Sequence, residues 1–252
     1  MNQRENRTFF GGTQRGYDGP APAVPITDAN SRLAFLRRVY GWMFAGIVST
    51  VFGAGIAVKS GFAESMLSWG ALSRILFVVA WIGGAYGVQA LRHTRTWNVV
   101  AFAAYAAFTG VVISTLILLA MMMAKANGEH ASLYLLQAGG LTLLAFGGIS
   151  AYAFFTKRDF SFLRGFLMVG SLVLLGAILI GLFVQSTALQ IAISAAGVLL
   201  FSGFVLFDTQ KVLRTYPDGE HVAGAMTLFL DFVMLFVYIL RFILIIAGGR
   251  RD

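Results

Sequence analysis

Residues 199–220 read LLFSGFVLFDTQKVLRTYPDGE. An apolar run reaches Phe207, meets a single acid at Asp208, and continues into the basic residues Lys211 and Arg214. No helix breaker appears before Pro217, so the spacing predicts a helix that runs on to about Arg214. Asp208 then lies six residues inside the helix end, about 9 Å along the axis at 1.5 Å per residue. The next apolar run opens at Met226 and carries Asp231 five residues in, about 8 Å deep and on a helix of opposite direction. The spacing therefore places both carboxylates at nearly one depth and permits them to meet without forcing it.

The surroundings fix the solvent. The chain has 252 residues, 58% hydrophobic and 12% charged, with a mean hydropathy of +0.78. Soluble domains are nearer 45–50% apolar and about a quarter charged, so this composition specifies a membrane protein. Seven apolar runs approach the roughly 20 residues that a bilayer core requires. They are Val39–Val58, Ile75–Leu91, Val99–Ala124, Leu133–Phe155, Phe166–Val184, Ala188–Phe207 and Met226–Ala247. Short connections predict antiparallel neighbours in one all-α bundle, a seven-transmembrane-helix domain over residues 31–252. Residues 1–30 are polar, rich in Gly and Pro, and lack the apolar core of a signal peptide; they read as a disordered tail.

Charge placement gives orientation. Thirteen of the 19 Lys and Arg residues fall on the side of the N-terminus and of Asp208, five fall on the other side, and Arg241 lies inside the last run. The bias predicts a cytoplasmic N-terminus and, with seven spans, an external C-terminus. The net charge of +8 is thus a topology signal and a source of headgroup contacts, and no nucleic-acid partner is expected. The chain has no Cys, which excludes disulfides and thiolate metal sites. There is no HExxH, GxSxG, P-loop or strand-linked GxGxxG, and His93, His130 and His221 are scattered. No catalytic residues and no resident cofactor are expected, and the chain is not read as an enzyme.

Carboxylates within hydrocarbon normally face a bundle interior and mark an ion path or a proton site. If Asp208 and Asp231 meet, they share a proton, titrate near neutral pH and offer oxygen ligands to a hard cation such as calcium. The competing reading is that each caps or pairs with a neighbouring base. Arg241, about 15 Å beyond Asp231 along its helix, is either a structural anchor or a pore-lining cation. Arg92, at the end of the second run, is either a latch for the aspartates or a topology-setting charge. Ala103, Ala107 and Gly110, and likewise Gly84 with Gly87, fall at helical spacing and predict close helix contacts.

These residues resemble a known family. FDTQKV at 207–212 and LFLDFVMLFVYILRF at 228–242 are similar to the end of the sixth and the body of the seventh helix in the Bax inhibitor family, also called the transmembrane Bax-inhibitor-motif family. TLLAFGGISAYAFFTKRDFSFLRGFL at 142–167 and FLRRVYGWMFAGIVSTVFGAGIAV at 35–58 resemble its fourth-to-fifth segment and its first helix. The likeness spans about Phe35 to Arg241. It implies a seven-helix fold with the last helix surrounded by the other six. It also implies a pH-sensitive calcium leak, with Asp208 and Asp231 as the sensing pair and an arginine latch from the second helix. Bacterial members that restrain a membrane protease imply an alternative for this chain, a non-conducting regulator of a membrane protease or stress pathway in a bacterial inner membrane.

Overall fold

The computed structural model describes residues 29–91, 94–184, 186–217 and 219–249. Among them lie eight helices and no strand: α1 Ala29–Lys59, α2 Phe62–Leu67, α3 Ala71–Ala90, α4 Arg95–Ala126, α5 Leu133–Phe155, α6 Leu163–Phe183, α7 Thr187–Thr215 and α8 His221–Gly248. A backbone in lipid has no water to bond with, so its amides must be satisfied within helices. Six of the helices are long and apolar enough to cross a membrane. The expected residues 1–30 tail falls outside the described residues as far as residue 28, and its last two residues already belong to α1. Arg92 also lies outside the described residues.

The seven-helix count needs adjustment at two places. A short helix, α2, follows the left-handed turn at Gly61 (φ 76°), because the polar run between the first two spans still contains the helix-compatible FAESML. The second span, α3, has a shorter apolar stretch than its neighbours, Ile75–Ala90. At 1.5 Å per residue that stretch covers about 24 Å, short of a hydrocarbon core of about 30 Å.

The last helix is the most buried, though the other helices do not surround it evenly. Half of its most apolar window (50%) is inside the protein, against 11% for α6. It packs chiefly on α1, α4, α5 and α7, while α3 leans on α4 and α6 on α7 as an outer layer. Met226, Leu228, Phe229, Leu235 and Leu240 of α8 are fully enclosed. Edge-on aromatic contacts fix its neighbours: Phe229 with Phe102 of α4 at 5.5 Å, and Phe232 with Phe146 of α5 at 5.4 Å.

The closest helix approach is between α1 and α4. A Cβ at Gly53 would stand 2.1 Å from the Ala107 carbonyl oxygen, and one at Gly110 would stand 2.0 Å from that of Thr50. Only glycine fits at those two points. The small-residue spacing read around Ala107 and Gly110 therefore serves backbone-to-backbone packing, as membrane interfaces favour. Thr50 and Ser49 then reach across, donating from Oγ1 to the Ala106 carbonyl at 2.9 Å and from Oγ to the Ala103 carbonyl at 3.0 Å. Of the pair Gly84 and Gly87, a Cβ at Gly84 would meet the Tyr105 ring at 3.0 Å, whereas nothing lies within 4 Å of one at Gly87.

Candidate functional site

α7 continues past Asp208 to Thr215, as the lack of a breaker predicts. Asp208 is seven residues before that end, about 10 Å along the axis. α8 starts earlier than its apolar run, at His221 rather than Met226, because the small residues of HVAGA are compatible with helix. Asp231 is therefore ten residues in, about 15 Å deep rather than 8 Å. The two carboxylates differ by about one helical turn in depth along neighbouring, antiparallel helices.

Both side chains point inward. Asp208 is 8% exposed and Asp231 6%, on the two helices that also pack closely at Gly197, where a Cβ would meet the Tyr238 ring at 2.2 Å. Asp231 lies within electrostatic reach of Asp208 and of Lys211. Lys211 Nζ is 3.7 Å from Asp208 Oδ1, one turn on in the same helix. The Oδ2 atom of Asp231 is buried with no protein hydrogen-bond partner. A buried carboxylate oxygen without a donor is costly, and such costs in membrane helices concentrate at functional positions.

Lys211 folds back onto its own helix. Its ammonium does not extend only toward the headgroups: it turns back along the helix to Asp208, with the lysine side chain 47% and the aspartate side chain 12% exposed. The signal was the i, i+3 spacing of an acid and a base on one helix face. A patch of hydroxyls adjoins this cluster. Thr209 Oγ1 and Ser150 Oγ of α5 are 3.4 Å apart, both buried, and the Tyr40 hydroxyl of α1 faces them. The same Tyr40, Ser150 and Phe232 line a cavity of about 370 Å³ between α1 and α5, otherwise walled by apolar groups such as Met43, Phe146 and Leu143.

Gln210 organises the neighbouring loop between α5 and α6. Its Oε1 accepts from the Phe160 N–H at 3.3 Å, and its Nε2 donates to the Arg158 carbonyl at 2.9 Å. Arg214 donates to the same carbonyl at 3.0 Å and lies 3.8 Å from Asp159 Oδ1. The DTQKVLR segment thus divides its labour: Asp208 and Thr209 face the bundle interior, while Gln210 and Arg214 hold the loop.

Arg241 sits apart from the aspartates. It donates to Gln190 Oε1 near the start of α7 and lies beside Tyr238, so it ties α7 to α8 at the opposite end of the bundle. Among the described residues no group of three or more His, Cys, Asp or Glu side chains could hold a metal ion. A cation at the aspartates would have two carboxylates and must complete its shell from hydroxyl, carbonyl or water oxygens.

Comparisons with known proteins agree with this architecture. Residues 32–248 match a family model described as inhibitor of apoptosis-promoting Bax1. An uncharacterised protein of Campylobacter jejuni is 32% identical over 210 residues, covering 82% of this chain and 86% of that protein. The inner membrane protein YbhL of Escherichia coli is 29% identical over 233 residues, covering 86% and 92%. The mouse protein lifeguard 4 is 25% identical over 221 residues, covering 87% and 88%.

Proposed function

The chain belongs to the Bax inhibitor family of multi-pass membrane proteins, and from that premise we propose that it is a pH-sensitive cation leak gated by Asp208 and Asp231. Calcium is the proposed ion. One observation carries the reading: two carboxylates on adjacent helices are buried within reach of each other and share a single lysine. With both acids ionised, two negative charges face one positive charge, and the cluster carries a net charge of −1. A proton neutralises that excess, and so does a cation competing with Lys211 for Asp208. Proton and cation therefore compete for the same oxygens.

In this mechanism Lys211 is the internal counter-ion of the closed state. Asp231, whose Oδ2 lacks a protein donor, is the group that first meets an arriving cation. The hydroxyls of Ser150, Thr209 and Tyr40 line the next step of the path, replacing water oxygens lost on entry. The proposed activity is transport rather than catalysis, with the N-terminus in the cytoplasm and the aspartates in the cytoplasmic half. The asymmetry of Lys and Arg supports that orientation.

The test is calcium flux in proteoliposomes from about pH 6 to about pH 8, on either side of neutrality. Wild-type protein should show a flux that changes across this range. Asp208→Asn and Asp231→Asn should each abolish the pH response. Wild-type flux and pH response in both variants would remove the aspartates from the gate.

A further inference from the structure

A second concavity, of about 380 Å³, opens beside the aspartates at the end of the bundle where α7 stops. One wall is the α5–α6 loop with the first turn of α6, contributing Asp159, Phe160, Ser161 and Arg164; the other is the last two turns of α7, from Phe207 to Thr215. Three cations line it: Arg164, Lys211 and Arg214. One acid, Asp159, lines it too, and this acid is already engaged by Arg214 at 3.8 Å and by the Ser161 N–H at 2.9 Å. Three positive charges line the cleft against one negative, and Asp208, behind the wall, pairs with one of the three at 3.7 Å, which leaves an excess of +1.

The cations do not stand alike. Arg214 is held by the Arg158 carbonyl and Asp159. Lys211 is shared with Asp208 and remains half exposed. Arg164 is exposed, and it makes no ion pair among the described residues. The cleft is also amphipathic. Phe207 lies one turn deeper in α7 than Lys211, and Phe160 lines the facing wall. Cations near the helix ends with aromatic surface beside them match a molecule that has an anionic head and an apolar body, at the level where lipid headgroups lie.

We propose that this cleft binds the phosphate headgroup of an anionic membrane phospholipid and that the bound phosphate competes with Asp208 for Lys211. Arg164 and Lys211 supply the direct charge contacts, Arg214 supplies its remaining donors, and the first acyl carbons lie against Phe207 and Phe160. Because Lys211 faces both the cleft and Asp208, a phosphate there draws the ammonium outward. The leaflet's composition then tunes how strongly the aspartates hold a cation. The binding half stands on the cleft alone; the coupling half rests on the leak proposed above.

Native mass spectrometry of the full chain, released from nanodiscs of phosphatidylglycerol and phosphatidylcholine in equal amounts, tests the binding half. Retention of phosphatidylglycerol over phosphatidylcholine is expected. Removing one contacting cation lowers affinity by about fivefold, so Arg164→Gln should weaken retention by that factor. The double variant Arg164→Gln with Lys211→Gln should weaken it by about 25-fold. Arg164→Lys should restore most of it. Equal retention of both lipids, or retention unchanged in Arg164→Gln and the double variant, overturns the proposal. So does full displacement of lipid by millimolar inorganic phosphate, which would make the free anion the ligand. For the coupling half, wild-type calcium flux should rise with phosphatidylglycerol content in vesicles, and the double variant should lose that dependence. A flux independent of the lipid while retention is selective overturns the coupling alone. Loss of the aspartate-dependent pH response, with retention intact, counts against the leak and not against lipid binding.

Discussion

Gly110→Ala is a one-methyl test of how the bundle is held. The added carbon would stand 2.0 Å from the Thr50 carbonyl oxygen and 2.7 Å from the Ala54 nitrogen, where ordinary contact begins at 3.4 Å. Both obstacles are backbone, so no rotamer change relieves them, and α1 must move away from α4 by about 1.4 Å at this point (3.4 − 2.0). A shift of that size breaks the Thr50–Ala106 and Ser49–Ala103 hydrogen bonds, which are 2.9 and 3.0 Å long. Overpacking costs roughly 1–3 kcal/mol, and interhelical hydrogen bonds in membranes contribute roughly 0.6 kcal/mol each. The better helix propensity of alanine returns roughly 0.5–1 kcal/mol. The expected net loss is about 1–4 kcal/mol, a change in the folding equilibrium of roughly tenfold to several hundredfold. Equilibrium unfolding in mixed detergent and dodecyl sulfate micelles reads this directly. Gly53→Ala, at 2.1 Å from the Ala107 oxygen, should lose a similar amount. Gly55→Ala, in the same helix with nothing within 4 Å, should unfold as wild type or slightly later. Wild-type stability in Gly110→Ala and Gly53→Ala would refute close backbone packing of α1 on α4.

Lys211→Gln removes the counter-ion of Asp208 from a half-exposed pair. Such pairs are worth up to about 1 kcal/mol, so calcium flux at neutral pH should rise by roughly threefold to fivefold; unchanged flux would separate Lys211 from the gate. Gln210→Leu deletes the two bonds that Gln210 makes to the α5–α6 loop and leaves those of Arg214 in place. Hydrogen exchange over residues 156–162 should quicken by about tenfold or more, given roughly 1 kcal/mol per bond, while α8 keeps its protection; an unaltered loop would show that other contacts suffice. Because the chain has no Cys, single cysteines report orientation without background. Lys157→Cys should resist a membrane-impermeant maleimide in intact cells while Glu129→Cys reacts, and the reverse pattern would invert the topology.

Much of this was legible in the sequence. Asp208 and Asp231 stand out because a carboxylate in an apolar run is expensive, and expense of that kind is visible in one dimension. The extension of α7 was legible for a simpler reason: nothing between Asp208 and Thr215 can stop a helix. The start of α8 was less so. HVAGA carries little apolar signal, yet it is helical, and the depth of Asp231 shifts by about 7 Å with those five residues. The partnership of Lys211 with Asp208 was written in their i, i+3 spacing, but spacing cannot choose between a lysine that reaches outward and one that turns back.

The sequence by itself determined that this chain crosses a membrane as helices, and it named the charged residues that pay a penalty for being there. Its apolar runs did not reveal which helix is central. α6 and α8 are both long and strongly apolar, α8 being interrupted by Asp231 and Arg241, yet α6 faces outward along Leu172, Val173 and Leu179 while α8 encloses Leu228, Phe229 and Leu235. In water the hydrophobic effect marks the inner face of a helix. In lipid both faces are apolar, so inside and outside are settled chiefly by close packing and by interhelical hydrogen bonds. Glycines such as Gly53 and Gly110, aromatic edges and the α7–α8 contact decide that arrangement, and it is this packing that brings the two aspartates and one lysine into a single site.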